Sequence, residues 1–147
     1  MFTAYPAIFA RDRSGTILVR FPDFDDATTE ATDDAEAFAL AVDCLDETIA
    51  YRIASRLALP RASQPRRGQR LVPVPALTAA KAALWESMRQ SGATISDLAR
   101  RLGIQTIQVR RLLDPRHRSR IDMLEAAMAA LGRRMVIGAE PTLHAAE

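Results

Sequence analysis

Residues 94–120 constrain the fold most strongly, because they contain two short helical patterns, a glycine between them and a basic end. Thr94 is suited to cap the first helix, and Asp97 stands three residues later, as in a capping box. Gly103 lies where that helix must end in a left-handed conformation. We predict a second helix from about Thr106 to Leu113. Two short helices joined across a glycine are typical of the helix-turn-helix, whose second helix enters the major groove of DNA.

The outward side of that second helix and the segment after it are polar or basic, with one exposed apolar residue. Arginine can bond guanine with two hydrogen bonds, glutamine can do the same with adenine, and an apolar side chain can contact the thymine methyl. Basic residues beside the helix are suited to phosphate contacts. The alternative interpretation is a small helical core with a solvated charged face. The predicted DNA-binding residues are Gln105, Thr106, Ile107, Gln108, Arg110, Arg111, Arg116, His117, Arg118 and Arg120.

The net charge of +2 conceals a division between the two parts of the chain. Residues 1–60 carry five arginines and eleven acids, a net charge of −6, whereas residues 61–147 carry fifteen basic residues and seven acids, a net charge of +8. An acidic part joined to a basic part suggests two partners of opposite sign. We expect a cytoplasmic location and no membrane contact. The chain has no apolar run of membrane-spanning length, no secretion signal and a single cysteine, Cys44.

Residues 1–59 predict a three-stranded antiparallel sheet with one long helix packed across it. The strands are expected over residues 1–10, 16–21 and 27–32, with Pro6 favouring an edge position or a bulge for the first. Asp33 is suited to cap the helix, which should run from about 34 to 57. Its predicted buried stripe is Phe38, Val42, Leu45, Ile49 and Ile53.

Four prolines in residues 60–75 predict a basic, semi-extended linker, with a short strand over 70–74 as the alternative. An all-α domain is expected over residues 76–140. Its first helix should cover 78–91, and its last should begin at Ser119 as the N-cap and end at Gly132. Residues 133–138 are β-like but too short to be stable alone, so we expect this strand to pair with the same strand of a second subunit. Residues 141–147 are expected to be a flexible tail.

With both parts considered, the chain resembles the HicB family of antitoxins from bacterial toxin–antitoxin systems. The second part is similar to the Cro/repressor-like helix-turn-helix that some members append, through residues 98–103, 109–115 and 131–134. The resemblance in the first part rests on Tyr5-Pro6-Ala7, Gly15, Val19-Arg20-Phe21-Pro22-Asp23, Thr29, Glu36-Ala37, the segment 41–45 and Leu59-Pro60-Arg61-Ala62-Ser63.

The resemblance implies an α+β protein whose N-terminal domain is a degenerate ribonuclease-H-like fold without catalytic activity. That domain is expected to bind and neutralise a HicA-type toxin, a small basic protein that cleaves mRNA. The C-terminal domain is expected to bind operator double-stranded DNA as a homodimer or higher oligomer. The acidic charge of the first part agrees with a cationic partner. The residues predicted to contact the toxin are Phe21, Asp23, Phe24, Asp25, Asp26 and Glu30.

We predict no catalytic residue, no metal site and no cofactor. Asp23, Asp25 and Asp26 form the carboxylate cluster best suited to a divalent cation, but no further ligand is marked by its spacing. His117 and His144 have no paired cysteines and no Ser or Cys to activate. Two alternatives remain open, a transcription regulator whose N-terminal domain binds a small molecule and a metal-dependent nuclease.

Overall fold

The computed structural model describes residues 1–142 as one antiparallel sheet with five helices, which confirms the α+β class. The predicted tail from residue 143 onwards, with His144, lies outside the described residues. The strand order is β3-β2-β1-β4. The strands are β1 (Ala4–Arg11), β2 (Ile17–Arg20), β3 (Thr28–Ala31) and β4 (Gln69–Pro73). The helices are α1 (Asp34–Ala54), α2 (Ala76–Ser91), α3 (Ile95–Leu102), α4 (Thr106–Leu113) and α5 (Ile121–Ala130).

The fourth strand, β4, lies within the predicted linker. It pairs with β1 from Ala4↔Pro73 to Ile8↔Gln69, and the Val74 N–H extends the pairing by donating to the Thr3 carbonyl oxygen at 2.8 Å. The prediction of three strands is therefore wrong, and so is the prediction of a tether over residues 69–73. The alternative of a short strand there is the one observed. Since β4 is an edge strand that ends at Pro73, the proline is tolerated.

The strand β1 is an inner strand, although Pro6 favoured an edge. Its second half pairs with β2, from Ile8↔Arg20 to Arg11↔Ile17, while its first half pairs only with β4. Pro6 lies in the half that has only β4 beside it. Its lack of an N–H therefore costs no hydrogen bond if that position faces the side of β1 without a neighbouring strand. The edge expectation therefore holds for this part of the strand but not for the strand as a whole.

The helix α1 begins as predicted and ends three residues early. Asp33 Oδ1 accepts a hydrogen bond from the Glu36 N–H at 2.9 Å, which caps the helix. At the other end Arg56 adopts a left-handed conformation with φ +58°, and the Leu57 N–H donates to the Arg52 carbonyl oxygen at 2.8 Å. This is a Schellman ending with arginine in the place that glycine usually takes. The buried stripe is Ala37, Ala41, Leu45, Ile49 and Ile53, with Phe38 and Val42 partly buried beside it.

The two predicted domains share one contiguous core of buried side chains. Only Val74 and Pro75 separate β4 from α2, and α2 packs against α1. The Trp85 indole N–H donates to the Leu57 carbonyl oxygen at 2.9 Å, and the Thr78 hydroxyl hydrogen-bonds Asp46 at 2.5 Å. The helical part is therefore fixed against the sheet part. Within residues 1–142, no helix is both long enough and apolar enough to cross a membrane.

The C-terminal segment differs from its prediction. No strand forms between residues 131 and 142, so the β-like pattern over 133–138 is not a strand in this single chain. The reason is that it has no neighbouring strand to pair with. The Arg133 guanidinium donates to the Gln90 side chain at 2.7 Å, and Met135 packs partly against the core. Val136 and Ile137 follow with 75% and 70% of their surface exposed.

Candidate functional site

The pair α3 and α4 is held by local hydrogen bonds at each end of α3. The Asp97 N–H donates to Thr94 Oγ1 at 3.1 Å, and the Thr94 N–H donates to Asp97 Oδ2 at 2.9 Å, which completes the expected capping box. Hydrogen bonds from Thr94 lower the pKa of Asp97 to about 2. Gly103 ends α3 with φ +66°, and the Ile104 N–H returns to the Ala99 carbonyl oxygen at 3.0 Å. These contacts fix the angle at which the chain enters α4.

The helix α4 presents a polar face to solvent above a small apolar base. Val109, Leu112 and Leu113 are buried, while Ile107 keeps 46% of its surface exposed. Gln105, Gln108, Arg110 and Arg111 are exposed, and Thr106 is half-buried. The Gln108 side-chain oxygen accepts from the Gln105 N–H at 2.9 Å, which is the return bond that a glutamine at N3 makes in a capping box. These predicted DNA-binding side chains therefore share one accessible surface on a fixed helix.

A shallow groove continues that surface onto the segment 114–120. The groove is lined by Gln108, Arg111 and Leu112 of α4, by His117, Arg118, Ser119 and Arg120 of the segment, and by Met123 of α5. Arg120 is partly neutralised by Asp122, whose carboxylate lies 2.9 Å from it. Arg116 forms an ion pair with Glu47 of α1. Within residues 1–142, Arg118 has no ion-pair partner, which makes it the most available cation of the segment.

Lys81 holds this segment in place, and sequence reasoning missed it. It is the only lysine of the chain and has no exposed surface. Its ammonium donates to the carbonyl oxygens of Arg111 (2.9 Å), Asp114 (2.5 Å) and His117 (2.5 Å), and it hydrogen-bonds Ser119 Oγ at 2.9 Å. Burial lowers the pKa of Lys81 to about 8, against the opposing effect of the Asp114 carboxylate. The available signal was a lone lysine among Leu77, Leu84 and Met88 on the apolar side of α2.

The contact with Lys81 also corrects the start of α5. Ser119 was predicted to be its N-cap, but the helix begins at Ile121 with Arg120 as the flanking residue. The Ser119 hydroxyl cannot serve as that cap because it binds Lys81 and lies 3.5 Å from the Arg111 carbonyl oxygen.

The residues predicted to contact a toxin divide into buried and exposed groups. Phe21 and Phe24 are 2% exposed, so their side chains are core residues and their expected surface role is wrong. Tyr5 packs against the Phe24 ring with centroids 4.9 Å apart. Asp23 accepts a hydrogen bond from the Ser63 N–H at 2.9 Å, and Asp26 lies 3.5 Å from Arg52. That leaves Asp25 and Glu30 exposed and outside the ion pairs of the described chain.

Two further exposed acids lie on the solvent side of α1, Asp43 and Glu47, one turn apart and followed by the exposed Tyr51. Sequence reasoning missed them because it used α1 only for its buried stripe. The charge count for residues 1–60 was the signal that could have drawn attention to them. Across residues 1–142, no three His, Cys, Asp or Glu side chains come together in a way that could hold a metal ion.

Comparison with known proteins identifies the family that the chain resembles. A family model described as the HicB-like antitoxin of bacterial toxin–antitoxin systems matches residues 4–83, from β1 into α2. An Antitoxin HicB of Pseudomonas fluorescens is 37% identical over 106 residues, which cover 71% of this chain and 73% of the relative. Antitoxin HicB 2 of Photorhabdus laumondii is 34% identical over 131 residues, 89% of this chain and 92% of that protein. Antitoxin HicB of Escherichia coli strain K12 is 29% identical over 131 residues, 89% of this chain and 95% of that protein.

The family model covers the whole sheet and the helix α1. The alignments of 131 residues are longer than that region, so they also include much of the helical part that carries the basic groove. The chain therefore belongs to the HicB-like family of bacterial antitoxins.

Proposed function

We propose that this chain is a cytoplasmic antitoxin with two binding surfaces. Its N-terminal part, a degenerate ribonuclease-H-like domain, binds and neutralises a HicA-type toxin that cleaves mRNA. Its C-terminal part binds operator DNA and represses the chain's own operon. Family membership supports the antitoxin role, and the exposed face of α4 is the single observation that carries the DNA-binding role.

The α4 face supports recognition of a DNA duplex by its shape and its chemistry. We infer that α3, the turn at Gly103 and α4 act as a helix-turn-helix, with α4 in the major groove. Gln108, Arg110 and Arg111 supply the side-chain types that hydrogen-bond base edges, and Ile107 supplies an apolar contact for a thymine methyl. Arg118 lies beside this face and is suited to a phosphate. Because α4 is packed on a small core and its start is held by the Gln105–Gln108 hydrogen bond, these side chains need little reordering on binding.

The toxin surface is proposed on the exposed acids of the N-terminal part, Asp25 and Glu30, together with Asp43 and Glu47 of α1. These carboxylates give that part its negative charge at the surface, where a cationic protein would meet them first. Such complementarity accelerates encounter and rejects acidic partners. Asp23, Asp26 and Glu47 contribute less than Asp25, Glu30 and Asp43, because each of the three already has an intramolecular partner.

A homodimer or higher oligomer is proposed for operator binding. Residues 133–138 are the suggested contact, since Val136 and Ile137 are largely exposed in the single chain and would gain burial against a second copy. A two-fold dimer would read a palindromic site with half-sites about one helical turn apart.

The experiment that tests this proposal is co-expression with the product of the neighbouring small open reading frame. We expect a co-purified complex, rescue of growth, and retarded migration of a duplex taken from the promoter of the same operon. If no complex co-purifies and growth is not rescued, the proposed toxin-neutralising role is wrong. If the protein does not retard the duplex, the proposed role as a repressor is wrong. Metal-dependent RNA cleavage by the protein alone would favour the nuclease alternative.

A further inference from the structure

We propose that Lys81 is a positioning residue that places the basic segment 114–120 against α4 for contact with DNA phosphates. This inference rests on the proposed DNA-binding function. Lys81 itself cannot touch DNA, because no part of its surface is exposed. It acts through the backbone of the segment that carries Arg116, His117, Arg118 and Arg120.

The need for a donor at this point follows from the sequence of the α4 terminus. In a continuing helix, the N–H of residue 115 would bond the carbonyl oxygen of Arg111, but Pro115 has no N–H to donate. Lys81 Nζ lies 2.9 Å from that oxygen, which otherwise accepts only the longer hydrogen bonds from the Asp114 N–H at 3.3 Å and the Ser119 hydroxyl at 3.5 Å. The same ammonium binds the Asp114 and His117 carbonyl oxygens, both at 2.5 Å. One side chain of α2 is thus hydrogen-bonded both to the end of α4 and to the turn that follows it.

The shape of the donor matters as well as its charge. An ammonium directs three N–H bonds away from a single atom, whereas a guanidinium spreads five across a plane. Three carbonyl oxygens lie 2.5–2.9 Å from Nζ, one for each N–H bond of the ammonium, and the Ser119 hydroxyl oxygen at 2.9 Å shares one of these donors. Acceptors gathered around a single atom fit a compact ammonium better than a planar guanidinium. An apolar side chain of similar length would remove the only donor that the described residues offer to the His117 carbonyl oxygen. It would leave the Arg111 and Asp114 carbonyl oxygens with local donors alone, so the end of α4 and the turn would no longer be tied to α2.

The test compares Lys81→Met and Lys81→Arg with a matched variant, Thr78→Val. Thr78 is also buried on α2, but its hydroxyl binds Asp46 of α1 and does not contact the segment. Binding to a random-sequence duplex of about 30 base pairs is measured as a function of salt, because the slope counts phosphate contacts. Amide hydrogen exchange of residues 114–120 is measured on the same samples without DNA.

We expect Lys81→Met to speed exchange in residues 114–120, to weaken binding about tenfold and to reduce the salt slope by about two phosphate contacts. Lys81→Arg should follow Lys81→Met, and Thr78→Val should keep the wild-type slope. A folded Lys81→Met variant with unchanged exchange and slope would overturn the proposal, and so would a wild-type slope in Lys81→Arg. If the wild-type protein binds no duplex, the DNA-binding function fails, and the exchange data alone decide whether Lys81 orders the segment.

If Lys81→Met does not fold, the wild-type protein supplies the deciding measurement. A buried ammonium bound to three carbonyls gives a slowly exchanging ¹⁵Nζ–H signal, and the chain has no other lysine to confuse it. Its presence near pH 6 supports the arrangement. A signal lost to solvent exchange would contradict it.

Discussion

The carboxylate of Glu47, on the solvent side of α1, forms an ion pair with the guanidinium of Arg116, which lies just after α4. The pair joins the acidic part of the chain to the basic segment 114–120, between two residues that are 69 positions apart in the sequence. Both side chains are well exposed, so the pair adds at most about 1 kcal/mol to the free energy of unfolding. If the chain binds DNA as proposed, the larger effect of the pair is to occupy a guanidinium that could otherwise contact a phosphate.

Replacing Glu47 with glutamine should therefore strengthen DNA binding. Arg116 is released and a negative charge near the duplex is removed, so we expect a two- to fivefold gain in affinity and a steeper salt dependence. The melting temperature should change little. Fluorescence anisotropy at several salt concentrations measures the effect.

The control is Asp43→Asn, which removes the same charge one turn earlier on the same helix. A gain in affinity of equal size in both variants would show that net charge, and not the pairing with Arg116, is responsible.

Replacing Arg111 with alanine should weaken operator binding by roughly 1–3 kcal/mol and relax the preference at one base position. The side chain is exposed on α4 and lines the groove, where it can reach a base edge. Binding to a panel of single-base operator variants gives both quantities.

Arg118→Ala is the comparison for that experiment. It should weaken all sequences alike and lower the salt slope, because Arg118 lines the groove beside α4 and is the proposed phosphate contact. An unchanged salt slope would remove Arg118 from the phosphate contacts.

Replacing Arg56 with glycine should stabilise the fold by roughly 0.5–1 kcal/mol, because glycine adopts the left-handed conformation without steric cost. Arg56 holds φ +58° at the end of α1 and is exposed. Urea unfolding measures the difference. Arg56→Ala separates backbone strain from the side chain, since alanine retains the strain; a stabilisation of the same size in that variant would contradict the explanation.

The capping box of α3 should make stability depend on pH in the acid range. The pKa of Asp97 is lowered to about 2 in the folded protein, from an ordinary value of 3.8. A lowered carboxyl pKa contributes stability above the unfolded value, which is lost as the pH falls from about 4 towards 2. We expect the melting temperature of Asp97→Asn to lie below that of the wild type at pH 6 and to approach it at pH 2. A gap that stays constant across this range would show that the charge of Asp97 is not involved.

Lys81 should titrate near pH 8, well below the ordinary value of 10.5, because it is desolvated. The chemical shift of the ¹³Cε resonance of Lys81, the only lysine, measured against pH reports this titration directly. Since its folded pKa lies below its unfolded pKa, the unfolded state binds more protons between pH 8 and 10.5, and this group makes stability rise with pH there. The rise should be absent in Lys81→Met. A midpoint near 10.5 would contradict the effect of burial.

Helices whose ends are fixed by hydrogen bonds between neighbouring residues were predictable from the sequence. Strands that are stabilised by partners far away in the chain were not. The ends of α3 follow from Thr94, Asp97 and Gly103, which lie close together in the chain. The strand β4 was only an alternative, because its stability comes from backbone bonds to β1, more than sixty residues earlier. Pairing of that range leaves little trace in local composition.

The candidate site shows the same division. The exposed face of α4 follows from the helical period, which separates Ile107 and Arg111 from the buried Val109 and Leu112. Phe21 and Phe24 were predicted to contact the toxin together with the acids of their loop, yet these aromatic side chains fill the core below that loop. Lys81 was missed because a charged residue is rarely fully buried, and its acceptors are backbone oxygens that no sequence pattern displays.

The position of β4 in the chain sets an order for folding during synthesis. Until residues 69–73 have left the ribosome, the Ala4–Pro6 end of β1 has no strand beside it, so the sheet stays incomplete after α1 has been made. Because α2 begins three residues after β4, the helix that braces α1 emerges almost together with the closing strand. A nascent chain stalled before this point would present an open strand edge, a template for aggregation, whereas one stalled soon after it could already close the sheet.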